Sequence, residues 1–246
     1  MNVFPFTDRI SQHTFLRAPL THESVVGDLG CNQGLFAVGV RKKYGCRVWA
    51  AEPAPHLHKA LTHLAPGIRC MPVAVGGARD RIFFNFDESH RLSGSLLAKE
   101  IIQVVHDRMD KIHHVSVDVI TLADFIDFTG SPRIDLLKMD IEGAELEVLL
   151  NSPLELLQRC AQITVEFHDF WYPELKSRTE QAKTRLVQAG FEMIRFTPNN
   201  KDVLFINRAM IDLSLTRRLF IAHVERNLNG AGRALLVATR RFRSKM

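Results

Sequence analysis

The sequence predicts an α/β fold: a mostly parallel, Rossmann-like sheet with helices on both faces and an antiparallel final strand. Short apolar runs alternate with helix-compatible stretches along most of the chain, which is the pattern of strands joined by crossover helices. The last two runs are separated only by Pro-Asn-Asn-Lys, a connection too short for a crossover and suited to an antiparallel pair. At 246 residues the chain fits one large domain with an extension.

The elements follow in order. "SVVGDLG" reads as a strand closed by glycine, and "QGLFAVGVRKKYG" as a helix stopped at Gly45. "CRVWAAEP" is a second strand ending in acid and proline, and "APHLHKALTHLAPG" a second helix ended by Pro66-Gly67. "IRCMPVAVGG" is a third strand that Pro72 places near an edge. "RIFFNFDES" and "HHVSVDVI" are extended segments outside the simple alternation, around a helix expected over residues 96–107. "TLADFIDF" is a short helix with Thr121 as N-cap and Asp124 at the capping-box position. Strand "RIDLLKMD" then leads into helix "GAELEVLLNS", and strand "AQITVEFH" precedes a loop and a helix around Arg178–Ala189. "FEMIRFT" and "DVLFINR" form the closing pair. The expected partition is a lead segment 1–23, a main domain 24–208 and a basic extension 209–246.

Composition is that of a globular protein, with 46% hydrophobic and 24% charged residues. Cys31, Cys46, Cys70 and Cys160 form no C-x-x-C pair, so neither a zinc ribbon nor a disulfide framework is expected, and the thiols read as reduced in a cytosol. The opening "MNVFPFTDRI" has an acid at Asp8 and no long apolar run, so it is not expected to act as an export signal. The net charge of +5 is uneven: residues 208–246 hold nine basic residues against two acids, a net +7, leaving −2 on residues 1–207.

Ligands of parallel α/β sheets bind beyond the carboxyl ends of the strands, so the residues there carry the functional argument. After the first strand comes "GDLGCNQG", with Asp28, Gly30, Asn32 and Gly34 in a D-x-G-x-x-x-G spacing. This is neither the dinucleotide fingerprint nor a P-loop, and a carboxylate there would repel pyrophosphate while suiting a cation. Glu52 closes the second strand, 22 residues beyond Gly30, near the offset at which an acid reaches ribose hydroxyls; it also reads as a helix-start acid before Pro53. A glycine turn bearing an acid, a ribose acid and no phosphate-binding device fit S-adenosylmethionine, which joins adenosine to a sulfonium and carries no phosphate.

The motifs "VVGDLGCNQGLFAV", "AAEPAP", "VAVGG", "SGSLL", "TLADFI", "IDLLKMDIEGAELEVL" and "TVEFH" resemble, in order and spacing, the FkbM-type methyltransferase family over about residues 25–208. "KMDIEGAE" is the most specific piece, similar to the family's K-[IM]-D-[VI]-E-G-A-E. The resemblance implies a class I S-adenosylmethionine-dependent fold and methyl transfer, usually to a hydroxyl. Carried onto this chain, it implies cofactor contacts from Asp28, Gly30, Asn32, Gly34 and Glu52, backbone near the adenine at Ala74 and Val75, and Ser95 near the site. It matches Asp140 and Glu142 to the hallmark acids.

The "RIDLLKMD" and "AQITVEFH" strands should be neighbours. Since side chains alternate along a strand, Lys138 and Asp140 share one face, and so do Glu166 and His168. The expectation is that Lys138 pairs with Glu166 in a lower layer, while Asp140 and His168 meet above it at the cleft. Methyl transfer to a hydroxyl is an in-line displacement; positioning can contribute about 7–11 kcal/mol, and a base about 10²–10⁴-fold. His168 is the expected base by its ordinary pKa, with Asp140 or Glu142 orienting it or acting instead; His168 also reads as a strand-end histidine bonded in a loop. Glu142 has a rival role as a helix-start acid, and Glu145 and Glu147 read as solvated helix surface.

No metal site is expected: His56 and His58 sit on a surface helix, His113-His114 precede a strand, and neither pair has further ligands at supporting spacing. Cys31 reads as a small filler. In "DFWYPEL", Trp171 and Tyr172 suit either a platform for a sugar-like acceptor or a lid over the core. In the basic tail, Leu215, Leu219, Ala222 and Arg226 mark one helical stripe packed on the body, while "RALLVATRRFR" could contact an anionic membrane surface. Aromatic residues are too sparse there to favour nucleic acid. The acceptor expected is a small molecule or glycan, with amine or macromolecular methylation, or a non-catalytic cofactor-binding scaffold, as the alternatives. The expected location is cytoplasmic or peripheral to a membrane.

Overall fold

The computed structural model describes residues 5–86 and 113–228. Ser95, the helix expected over residues 96–107 and the stretch 229–246 lie outside the described residues.

The central sheet has seven strands in the order β11-β12-β10-β9-β3-β4-β5. These are β3 Val25–Leu29, β4 Arg47–Ala51, β5 Ile68–Met71, β9 Leu136–Met139, β10 Gln162–Val165, β11 Phe191–Arg195 and β12 Val203–Asn207. All neighbours pair in parallel except β12, which runs antiparallel to both β10 and β11. The predicted class, the β9–β10 neighbourhood and the closing antiparallel pair are all present. Side chains of alternate residues enter two cores. Leu29, Trp49, Leu137, Met139, Ile163 and Val165 pack on one face, and Val26, Val48, Ala50 and Leu136 on the other.

Helix α1 (Leu35–Tyr44) ends on Gly45 at φ 73°, and α2 (Pro55–Leu64) begins on its proline. Helix α3 (Leu122–Thr129) has the expected capping box: the Thr121 hydroxyl accepts from Asp124 N–H and the Asp124 carboxylate accepts from Thr121 N–H. Helices α4 (Glu145–Asn151), α5 (Leu154–Leu157) and α6 (Lys176–Gln188) complete the domain.

Three elements differ from the sequence reading. "IRCMPVAVGG" is two strands, not one. Pro72 has no N–H for a ladder bond, so the chain leaves the main sheet after β5 and enters a three-stranded sheet as β6 (Ala74–Gly76). There β6 pairs with β8 (His113–Thr121), which pairs antiparallel with β7 (Asp80–Phe86). The lead segment, second, is a hairpin, β1 (Thr7–Ile10) with β2 (His13–Leu16), built into the domain. The Gln162 side chain bonds both main-chain groups of Leu16, and Asp202 accepts from both the amide and the hydroxyl of Thr14. Third, the C-terminal helix α7 (Leu215–Phe220) with its π-helical continuation Ile221–Glu225 turns the expected stripe outward: Leu215 and Leu219 are exposed, while Ile221 and Glu225 are buried. Glu225 is drawn inward because Phe6 N–H, Thr7 N–H and the Thr7 hydroxyl all donate to it. Among the described residues, no helix is long and apolar enough to cross a membrane.

Candidate active site

The site lies at the carboxyl ends of β3, β4, β9 and β10. Gly30 turns the chain after β3 at φ 73°, and a Cβ there would stand 1.9 Å from the Asp140 carbonyl oxygen, so only glycine fits. Gly30 and Cys31 N–H donate to the Ala51 carbonyl, which ties this turn to the end of β4. Glu52 follows directly. Its carboxylate, 1% exposed, accepts from Asn32 N–H at 2.7 Å and from Ala54 N–H at 2.9 Å. Burial raises its pKa, against the opposing pull of those two amides.

Beside this turn is a narrow slot walled by Val73, Ala74, Val75 and Phe84 and bordered by Gly30, Glu52, Asp140, Ile141 and Glu142. A larger cavity of about 430 Å³ opens next to it. Its walls come from His13 at the hairpin, Gly30–Gln33 in the turn, and Lys138, Asp140, Glu142, Glu166, His168, Trp171 and Lys201.

Asp28 does not face either space. It is wholly buried, with Oδ1 3.1 Å from Lys138 Nζ and Oδ2 accepting from Ala37 N–H. Its role is structural: it anchors α1 and neutralises a buried lysine. The expected Lys138–Glu166 pair is therefore replaced by Lys138–Asp28. β9 lies between β3 and β10, and Lys138 stands in register with Asp28 on one side and Thr164 on the other. Lys138 also donates to the Gly30 carbonyl at 2.6 Å and lies 3.7 Å from Asp140 Oδ2. Burial disfavours its charge, but Asp28 and Asp140 outweigh that and hold its pKa above the ordinary value. Glu166 instead meets Lys201 at 3.6 Å, and burial followed by the Asp140 charge raises its pKa.

Asp140 and His168 meet at the cleft as expected, with Nε2 3.8 Å from Oδ1. Glu142 Oε2 lies 3.4 Å from the same nitrogen. Burial opposes ionisation of Asp140, yet Lys138, His13 and His168 together hold its pKa well below the usual carboxylate range. Glu145 is not surface. It is fully buried, accepts from Ile141 N–H at 2.7 Å and Gly143 N–H at 2.9 Å, and sets Oε1 3.1 Å from His168 Nδ1. This carboxylate closes a tight turn in which Glu142 has φ 53° and Gly143 φ 102°. Glu147 is on the surface as expected, paired with Arg178. Burial disfavours the His168 cation, but Glu145, Glu142 and Asp140 outweigh it and push the pKa up to about 10. The three carboxylates around the ring favour its cation, which makes the expected base a poor proton acceptor in this arrangement.

Ala74 and Val75 line the slot, and Gly34, at φ 75°, sets the start of α1, where a Cβ would strike Leu61. Sequence reasoning missed His13, whose Nε2 lies 3.5 Å from Asp140 Oδ2, because nothing in the lead segment announced a hairpin. Trp171 is 65% exposed at the cavity mouth, so it does not close the core.

The strand order, the glycine turn and the acid after β4 define a Rossmann-like methyltransferase domain of class I. Residues 28–196 match the Methyltransferase FkbM domain, and the chain belongs to that family. Membership makes it a methyltransferase whose cofactor is S-adenosylmethionine. Similar proteins include Methyltransferase 1 of Beauveria bassiana, 27% identical, covering 71% of this chain and 74% of that one. Methyltransferase sdnD of Sordaria araneosa is 25% identical over 78% and 83% of the two chains. The 31-O-demethyl-FK506 methyltransferase FkbM of Streptomyces tacrolimicus is 29% identical over 67% and 72%. Among solved structures, Aeropyrum pernix fibrillarin with natively bound S-adenosyl-L-methionine is 10% identical with a TM-score of 0.42, covering 78% of this chain and 68% of that one.

The residues fit this cofactor. The slot is apolar where an adenine would lie, and no side chain obstructs it at Gly30. Glu52 stands at its border, and each of its oxygens keeps a lone pair for a ribose hydroxyl after accepting one amide.

Proposed function

We propose that this protein methylates a hydroxyl of a small-molecule acceptor, sugar-containing or a secondary metabolite. The observation that carries the reading is the carboxylate and imidazole cluster of Asp140, Glu142, Glu166 and His168 at the ends of β9 and β10, one wall of a cavity beside the cofactor turn. The FkbM protein of Streptomyces tacrolimicus is by its name an O-methyltransferase, which supports the same direction for this chain.

S-adenosylmethionine supplies an activated methyl group, and the overall reaction exchanges the acceptor O–H for O–CH₃ with release of one proton and S-adenosylhomocysteine. The chain's residues bind and align. Glu52, Ala74 and Val75 hold the nucleoside end. Asp140 and Glu142 border the part of the cavity where the attacking oxygen has to lie. Glu166, which borders the cavity, receives the hydroxyl proton in this reading, rather than His168, which three carboxylates surround. Trp171 offers a flat apolar face at the entrance.

Calorimetry with S-adenosylmethionine tests the cofactor site: wild type should bind one equivalent, and Glu52→Ala should bind at least tenfold more weakly. A screen of hydroxyl and amine acceptors, read by S-adenosylhomocysteine formation, tests the chemistry. Turnover confined to amines would overturn hydroxyl transfer, and binding without turnover on any acceptor would favour a scaffold.

A further inference from the structure

Two chain segments bring three ligating side chains together at the end of the sheet. Asp140 closes β9, Glu142 stands two residues on, and His168 follows β10. His168 Nε2 lies 3.8 Å from Asp140 Oδ1 and 3.4 Å from Glu142 Oε2, both longer than a hydrogen bond. Such separations are close to those between neighbouring ligands of one ion. With bonds of about 2.0–2.2 Å, the edge is about 2.8–3.6 Å from right-angled to tetrahedral geometry, so the 3.4 Å pair fits as it stands and the 3.8 Å pair has to close slightly.

The imidazole is also built to point there. His168 is 5% exposed, and its other nitrogen faces the buried Glu145 carboxylate at 3.1 Å. The Ile141 and Gly143 amides fix that carboxylate in turn. A carboxylate behind the distal nitrogen is the usual support of a ligating histidine. Glu142 holds its position through a left-handed backbone that costs a non-glycine residue energy, the kind of strain that collects at ligand sites.

We propose that Asp140, Glu142 and His168 bind one divalent first-row transition cation, which takes the place of the proton on His168 Nε2 and releases it to solvent. One imidazole with two carboxylates suits Mn²⁺, Fe²⁺ or Zn²⁺ better than Mg²⁺ or Ca²⁺. His13 and Glu166 form a second trio on the other side of Asp140. The ion belongs to the His168 trio because there a buried carboxylate backs the imidazole, and because Lys138 and His13 already occupy Asp140 Oδ2, leaving Oδ1 to the ion. The catalytic role rests on the hydroxyl-transfer reading. The ion would take the acceptor oxygen into its open coordination and lower the pKa of that hydroxyl. The O–H bond breaks with its proton passing to Glu166, and no oxidation or reduction occurs.

The test is Mn²⁺ uptake by the full chain after chelator treatment, read from loss of the free-ion electron paramagnetic resonance signal. One site per chain in the micromolar range is expected. Glu142→Gln and His168→Ala should each weaken it about 10–100-fold, and Glu147→Gln should not. Glu142 is partly exposed, and a thermal melt of its variant separates loss of a ligand from loss of the fold. No uptake by wild type, or uptake unchanged in Glu142→Gln, would overturn the site. Calorimetry with S-adenosylmethionine on the same samples keeps the two readings apart: retained cofactor binding without Mn²⁺ uptake removes only the ion, and the reverse removes only the methyltransferase mechanism.

Discussion

Glu145 Oε1 lies 3.1 Å from His168 Nδ1, and both side chains are buried. The contact joins the helix after β9 to the loop after β10 and fixes which ring nitrogen faces the cleft. Glu145→Gln removes the charge behind the ring. Its single amide oxygen also cannot serve both the Ile141 and Gly143 amides. The unpaired N–H should cost about 1–3 kcal/mol of stability, and turnover should fall about 10–100-fold. Glu145 borders neither cavity, so cofactor affinity should hold. Thermal melts, initial rates and calorimetry check the three outcomes; a variant with wild-type turnover would remove the positioning role.

The buried ion pair of Lys138 with Asp28 yields a stability prediction. Lys138→Met leaves Asp28 charged, fully buried and without its cation, which should cost about 3–5 kcal/mol. Asp28→Asn combined with Lys138→Met should lose less than the sum of the two single variants, because the pair is coupled. Denaturant midpoints measure both. Additive losses would mean that Lys138 acts mainly through the Leu29 and Gly30 carbonyls to which it also donates.

Much of this arrangement was legible from local signals. Alternating runs gave the sheet, the capping box at Thr121 gave α3, and motif order gave the family. What stayed hidden depends on three-dimensional closure. Lys138 has a neighbouring strand on each side, and a sequence does not say which one supplies the anion. Glu145 stands where first-turn acids are usually solvated; its burial follows from the reversed turn at Glu142–Gly143 and from a histidine more than twenty residues away. His13 was missed because a four-residue strand, His-Thr-Phe-Leu, has too little pattern to stand out in a lead segment. Its meaning appears only when the hairpin docks over Asp140.

Glu52 predicts a pH dependence. Burial raises its pKa above the ordinary glutamate value of about 4.3, against the two amides and Lys138. Between the unfolded and folded values the folded state holds the proton and the unfolded state does not. This group therefore favours folding below that window and disfavours it as pH rises through it. Ribose recognition needs the carboxylate, so cofactor affinity should run the opposite way, falling on acidification with a midpoint above about 4.3. Calorimetry across pH on wild type and Glu52→Gln checks it. The same acid limb in the variant would assign the titration to another group.

Trp171 is the last residue with a measurable consequence. Its ring packs on Phe170 at 5.4 Å between centroids, and Lys201 lies over Phe170 at 4.1 Å, so the aromatic pair is braced while the outer indole face stays open. An indole that closed the core would be needed for stability; one that receives an acceptor would not. Trp171→Ala should therefore leave the melting temperature and cofactor affinity unchanged and raise acceptor KM. An aromatic face is worth about 0.5–1.5 kcal/mol beyond its area, so the KM increase should be up to about tenfold. Phe128, exposed on α3 away from the cavity, is the control, and Phe128→Ala should alter neither constant. A drop in stability with unchanged KM would return Trp171 to a packing role.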